Sequence, residues 1–145
     1  METTITDEAR IAALAAFLGE DAGEITLSYD GETFEADGEG YLVLTDEEAD
    51  QKAEEYISES VWAFNVDFIM SHANLPWEAE EMISAFQDAK CEGANDTLKA
   101  LIKDWDHFVS DAIMADGRAH FLNTYDGREN EATVDGQAFY IYRVS

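Results

Sequence analysis

Basic residues are scarce: eight Lys and Arg stand against 33 Asp and Glu, a formal charge of −25 at pH 7. That shortage excludes direct nucleic-acid binding, because counterion release requires Lys and Arg contacts to phosphate. Cysteine is nearly absent. Cys91 alone has no partner for an internal disulfide and no second cysteine at metal-ligand spacing, so its expected role is to fill a helix contact. The apolar run Ile11 to Leu18 is too short to cross a bilayer. With no basic n-region in the first twenty residues, a cytoplasmic protein without a membrane partner is expected.

Motifs of familiar enzymes are also missing. There is no phosphate-binding glycine-rich loop with its lysine, no nucleophile elbow, no His-Glu-x-x-His, and no deaminase His-x-Glu with paired cysteines. Neither Asp30 to Gly40 nor Asp126 to Asp135 has the twelve-residue ligand spacing of a calcium loop. His72, His107 and His120 lie far apart along the chain; a metal site could still gather them with nearby carboxylates, for instance Asp104, His107 and Asp111 along one helix face. Acids this abundant fall near any histidine by accident, so no cofactor, no metal and no catalytic residue is expected, and a small metal-dependent enzyme is the third-ranked function.

What the chain does have is material for a core. Its 46% apolar content and 17 aromatic residues exceed anything a disordered acidic tail contains, and 145 residues suit a single domain. Thr6 caps a first helix with Ile11, Leu14, Ala15 and Leu18 at helical spacing, and Gly19 ends it. Glu24 to Tyr29, Thr33 to Ala36 and Tyr41 to Leu44 alternate as strands around Asp30-Gly31 and Asp37-Gly38. Thr45-Asp46-Glu47-Glu48 is a capping box that opens a long helix with a stripe through Ala49, Ala53, Tyr56, Ile57, Val61, Phe64 and Phe68. Pro76 starts a third helix, with Met82, Ile83 and Phe86 inward, and Asn95 a fourth, running to Ala112. Period two returns from His120 to Tyr125 and from Ala138 to Val144, joined by a loop from Asp126 to Gln137. The aromatics Trp62, Phe64, Phe68, Trp77, Phe86, Trp105 and Phe108 read as core. The expected fold is α+β, about four helices on one face of a small antiparallel sheet in the order α-βββ-ααα-ββ.

The charge is uneven along the chain. Residues 20 to 59 hold fifteen acids and one base, Lys52, a net of −14, while residues 61 to 145 sum to −9. A charge of −25 equals that on roughly 40 Å of duplex, about a dozen base pairs. Carboxylates on a rigid helix and the neighbouring sheet would then substitute for phosphate rows in the groove of a basic, nucleic-acid-binding protein, with steered and salt-sensitive association. The expected face is Asp46, Glu47, Asp50, Glu54 and Glu55, with Glu20, Asp21, Glu24, Glu32 and Glu35. The alternative is a solvated acidic coat adapted to high salt, on an accessory protein with an unrelated partner.

Two polar turns, Asp116-Gly117-Arg118 and Asp126-Gly127-Arg128, suggest a second recognition site of His120, Tyr125, Asp126, Arg128 and Glu129. The plainer reading pairs Arg118, Arg128 and Arg143 with local carboxylates. The stretches Tyr41 to Asp50, Asp116 to Glu131 and Tyr140 to Arg143, about a fifth of the chain, resemble segments of small uncharacterised proteins encoded by phages and plasmids. That resemblance implies a setting in which small acidic proteins inhibit host restriction or CRISPR defence, several of them as DNA mimics. It carries over no reaction and no site residue, and oligomeric state stays open.

Overall fold

Thr6 caps the first helix, α1 (Asp7–Leu18), by accepting a hydrogen bond from the Ala9 amide at 3.1 Å, and Gly19 closes it in the left-handed region at φ 70°. This is a computed structural model describing residues 5–145. The chain divides into two compact units, one running up to Ala53 and resuming at Gly117–Ser145, the other Glu54–Asp116.

The first unit is a five-stranded antiparallel sheet with α1 against it. Its strands are β1 (Thr26–Leu27), β2 (Thr33–Ala36), β3 (Glu39–Leu44), β4 (Asn130–Val134) and β5 (Gln137–Arg143), in the order β1-β2-β3-β5-β4. Two Asp-Gly pairs set the register. Asp37-Gly38 and Asp135-Gly136 each hold both residues at positive φ (53° and 78°, 49° and 83°), the geometry whose twist matches the flanking strands of a two-residue hairpin. Alternation then sends Phe34 and Ala36, Tyr41 and Val43, and Phe139 and Ile141 to one face, where they form a buried core with Ala13, Leu14 and Ala15 of α1. Leu42 and Tyr142 are buried as well, as expected of central strands covered on both sides.

The capping box closes as its residues require. The Glu48 amide donates to Thr45 Oγ1 at 3.3 Å, the Thr45 amide donates to Glu48 Oε1 at 2.9 Å, and α2 (Asp46–Ser60) follows. Arg10 of α1 donates to both Glu48 carboxylate oxygens, at 2.7 and 2.8 Å, and to the Val43 carbonyl at 2.8 Å, so one guanidinium ties α1, β3 and α2 together. Those bonds from Arg10 hold the Glu48 carboxyl below its ordinary value. A carboxylate with a depressed folded pKa contributes stability above its unfolded value and loses it as pH falls through the folded one. Glu48→Gln is therefore expected to cost about 1–2 kcal/mol at neutral pH. The gap between the two melting curves should close in acid, and a gap independent of pH would contradict the pairing.

The second unit is helical. Its elements are the distal part of α2, then α3 (Val66–His72), α4 (Ala79–Lys90), α5 (Asn95–Leu101) and α6 (Trp105–Asp116). Ile57, Val61, Ile69, Ile83, Leu98, Phe108 and Ala112 are buried in it. Two helices expected to be continuous are broken. The stripe through Phe68 splits at a 3-10 turn, Val61–Ala63, because Asn65 accepts from the Asp67 amide at 2.8 Å and starts a new helix. The helix from Asn95 breaks at Ile102 because Asp104 accepts from the His107 amide at 3.2 Å and caps α6. Gln87 donates to the Trp62 and Phe64 carbonyls, and Asn95 accepts from the Trp62 amide while donating to the Glu59 carbonyl, so side-chain amides satisfy the backbone groups freed at the first break.

Other expectations also change. His120 to Tyr125 is not a strand: Gly117 (φ 82°) ends α6, Arg118–Leu122 forms a single helical turn, α7, against β5, and Phe121, Leu122 and Asn123 are buried consecutively, a pattern a strand does not produce. The strand pairing with β5 is instead β4, inside the stretch expected to be loop. Trp77 and Met82 are exposed, at 67% and 64%, Tyr56 is half-exposed, and Cys91 is exposed at the end of α4 with φ 48°. No helix among the described residues is long and apolar enough to cross a membrane.

Candidate functional site

Among the described residues no Asp or Glu is buried, so every carboxylate reaches the surface at least in part. The ten nominated acids nevertheless differ in what they are free to do. Asp46 and Asp50 both reach Arg118 Nη1, at 2.7 and 3.0 Å. Glu32 accepts from Lys52 Nζ at 2.8 Å, Glu54 accepts from the Trp105 indole at 3.2 Å, and Asp21 caps the 3-10 turn Ala22–Glu24 through the Gly23 amide. Glu20 is pushed above the ordinary carboxylate range, first by hydrogen bonding to Asp37, then by burial and by the charges of Asp37, Glu24 and Glu39. Its Oε2 is shielded from solvent and accepts no hydrogen bond among the described residues. Glu24, Glu35, Glu47 and Glu55 are exposed.

Along α2 the outward row is Glu47, Gln51, Glu55 and Glu59, one residue per turn over about 18 Å of axis. Asp46, Asp50 and Glu54 run beside it. Six of these positions are acidic within about 20 Å, one charge per about 4 Å, against one phosphate per about 3.4 Å along a single DNA strand.

Arg118 organises the second nominated site. With a side chain only 12% exposed it contacts Asp46 and Asp50, donates from Nε to Glu129 Oε1 at 2.6 Å, and lies 4.5 Å from the Tyr140 ring. Burial works against its charge, but hydrogen bonds to Glu129, Asp46 and Asp50 outweigh that and raise its pKa. Glu129 also accepts from the hydroxyl of buried Tyr142, whose pKa is raised by burial and then by Glu129. The remaining members serve the turn. Asn123 accepts from the Tyr125 and Asp126 amides and donates to the Arg128 carbonyl, Asp126 accepts from the Arg128 amide, and the Tyr125 ring lies 3.5 Å from the Arg143 guanidinium. His120 is exposed with its ring edge-on to Phe121. These contacts build a folded corner from the polar residues.

A different constellation forms in the helical unit. His107 and Asp111 lie one turn apart on α6, as their spacing predicts, but the third member is His72 and not Asp104, which is spent capping the helix. Asp111 Oδ2 stands 3.0 Å from His72 Nε2 and 3.4 Å from His107 Nε2. His72 is 7% exposed, with its ring edge-on to Phe108 and tilted against Phe68, at centroid distances of 5.3 and 5.2 Å. Its carbonyl accepts from the Lys103 amide at 2.9 Å, and Ala73 bridges to Ile102, which fixes the end of α3 beside the start of α6.

The chain matches no protein-family model. Neither curated proteins nor solved structures provide a match.

Sequence reading overlooks Arg118 as a hub and does not single out His72 from the three histidines as the one that meets His107. Arg118 is one arginine among acids, and nothing local indicates that α2, α7 and the segment at Glu129 converge on it. His72 lies 35 positions from His107, and only helix packing closes that distance. The single available signal was its place one turn after Phe68, on a face that the aromatic stripe marks as buried.

Proposed function

We propose that this chain is an acidic decoy, occupying the nucleic-acid-binding surface of a basic partner protein. The observation that carries this reading is the fate of the charges. Arg10, Lys52, Arg118 and Arg143 are each spent in ion pairs with the chain's own carboxylates, while 33 acids stand against eight bases and none of those described is buried. What a partner meets is a polyanion, and the outward row of α2 spaces its charges on the scale of a phosphate strand. The resemblance to phage and plasmid proteins favours a host defence protein as the partner.

The test is capture of the partner on immobilised protein from a host lysate, followed by elution with duplex DNA and with a salt gradient. DNA should displace the partner, and affinity should fall steeply with salt. Glu47→Lys and Glu59→Lys together should abolish capture without changing the circular dichroism spectrum. A partner that DNA cannot displace, or that the double variant still holds, would overturn the decoy.

One observation favours the acidic coat instead. The unit running to Ala53 and resuming at Gly117 has 19 acids and five bases in 82 residues, and the unit Glu54–Asp116 has 14 and three in 63, so net charges of −14 and −11 give nearly equal density. The acidic pole seen along the chain is thus levelled between the units, because the last 29 residues, nearly neutral, belong with the acidic first part. Cooperative melting in low salt supports the decoy, whereas folding only in molar salt supports the coat.

A further inference from the structure

We infer that His72, His107 and Asp111 form a binding site for a first-row divalent transition-metal ion of the zinc class. This inference is independent of the decoy reading, since it concerns three side chains of the helical unit and no acid of the α2 face.

Donors held 2.0–2.2 Å from one ion lie about 3.0 Å apart at right angles and about 3.4 Å apart at the tetrahedral angle. The two edges meeting at Asp111 Oδ2 measure 3.0 and 3.4 Å, and the three donor atoms all lie within 4.8 Å of one another. The one edge left to tighten is between the imidazoles. His107 is the side chain positioned to do so, being 63% exposed, whereas His72 is held between aromatic rings. Two imidazoles and one carboxylate suit zinc, cobalt, nickel or iron better than calcium or magnesium, which prefer oxygen throughout. The exposed sides of His107 and Asp111 leave room for water at the remaining positions. The unit's net charge of −11 further concentrates cations around the site.

A purely structural role would require only that Asp111 accept a hydrogen bond from buried His72. His107 has no place in that role, which makes it the discriminating residue. Purified, chelator-treated protein is titrated with Co2+, following the visible ligand-field absorption, with equilibrium dialysis and elemental analysis for stoichiometry. One Co2+ per chain should bind, be displaced by Zn2+, and resist excess Ca2+. His107→Ala should weaken Co2+ at least about tenfold, the scale on which even outer-shell partners of a metal site matter. The metal-free melting temperature should be unchanged, because the side chain is exposed. Absence of the absorption, displacement by Ca2+ as readily as by Zn2+, or unchanged affinity in His107→Ala would each overturn the site.

Discussion

Phe108→Ala is expected to destabilise the helical unit by about 3–5 kcal/mol, the cost of deleting a fully buried aromatic ring and leaving a cavity behind. Phe108 is 0% exposed and lies between Phe64, Phe68, His72 and Trp105, at centroid separations of 5.1–5.4 Å, with the Trp105 ring stacked at 19°. Each such pair adds about 0.5–1.5 kcal/mol beyond the area it buries. Collapse of the site is restricted because its neighbours come from separate segments that are pinned elsewhere. Asn65 caps the start of α3, while Gln87 clamps the Trp62 and Phe64 carbonyls. Urea denaturation followed by tryptophan fluorescence, which reports on Trp62, Trp77 and Trp105, measures the loss. Phe108→Leu should recover most of it. A loss below about 1 kcal/mol would mean that the ring does not sit where described. The same substitution removes one wall of the His72 ring, so Co2+ affinity should fall with it even though no ligand has changed.

Arg118→Ala should cost about 2–3 kcal/mol, less than a wholly buried pair because its partners are partly solvated. The side chain is 12% exposed, while Asp46, Asp50 and Glu129 are 69%, 59% and 34% exposed. Removing the guanidinium leaves those carboxylates facing one another in a chain already at −25, and it strips the donor from the cluster around Glu129 and Tyr142. Arg118→Lys should rescue little, since an ammonium cannot span both the α2 carboxylates and Glu129 in the plane of one fork. In the Arg118→Ala background, adding Asp46→Asn and Asp50→Asn should restore part of the lost stability, because the residual penalty is repulsion. The same two changes in the wild-type background should destabilise. Thermal melts of this cycle measure the coupling, and additive effects would show that the contacts carry no energy.

The Arg118 cluster also shapes the decoy. It shows that the acids of α2 are not equivalent: Asp46 and Asp50 are partly neutralised, Glu54 is tied to Trp105, and the row beginning at Glu47 faces outward. Charge reversal at Asp50 or Glu54 would therefore confuse loss of folding with loss of binding. Reversal at Glu47 and Glu59, both exposed, separates them.

Features governed by neighbours in the chain were legible from the amino acids alone. Thr6 and Gly19 delimit α1, Thr45 and Glu48 form their reciprocal cap, and Asp37-Gly38 makes its hairpin, because each depends on backbone groups within about four residues. Asp135-Gly136 carried the same hairpin signal between Glu131 and Tyr140 but lay in a stretch whose polar composition suggested a loop. The anionic surface was equally legible, since no other chain need be consulted to count carboxylates. Tertiary structure decided what requires distance in sequence to become distance in space. It broke two long helices where Asn65 and Asp104 found amides to cap, and turned His120 from a strand into a helical turn because Phe121 and Leu122 had a sheet to cover. It brought Arg118 to carboxylates 72 and 68 positions away, and His72 to a histidine 35 positions on. Periodicity reports which face of an element is apolar but not which other element that face will meet, and both the arginine hub and the His72–His107–Asp111 cluster exist only at such meetings.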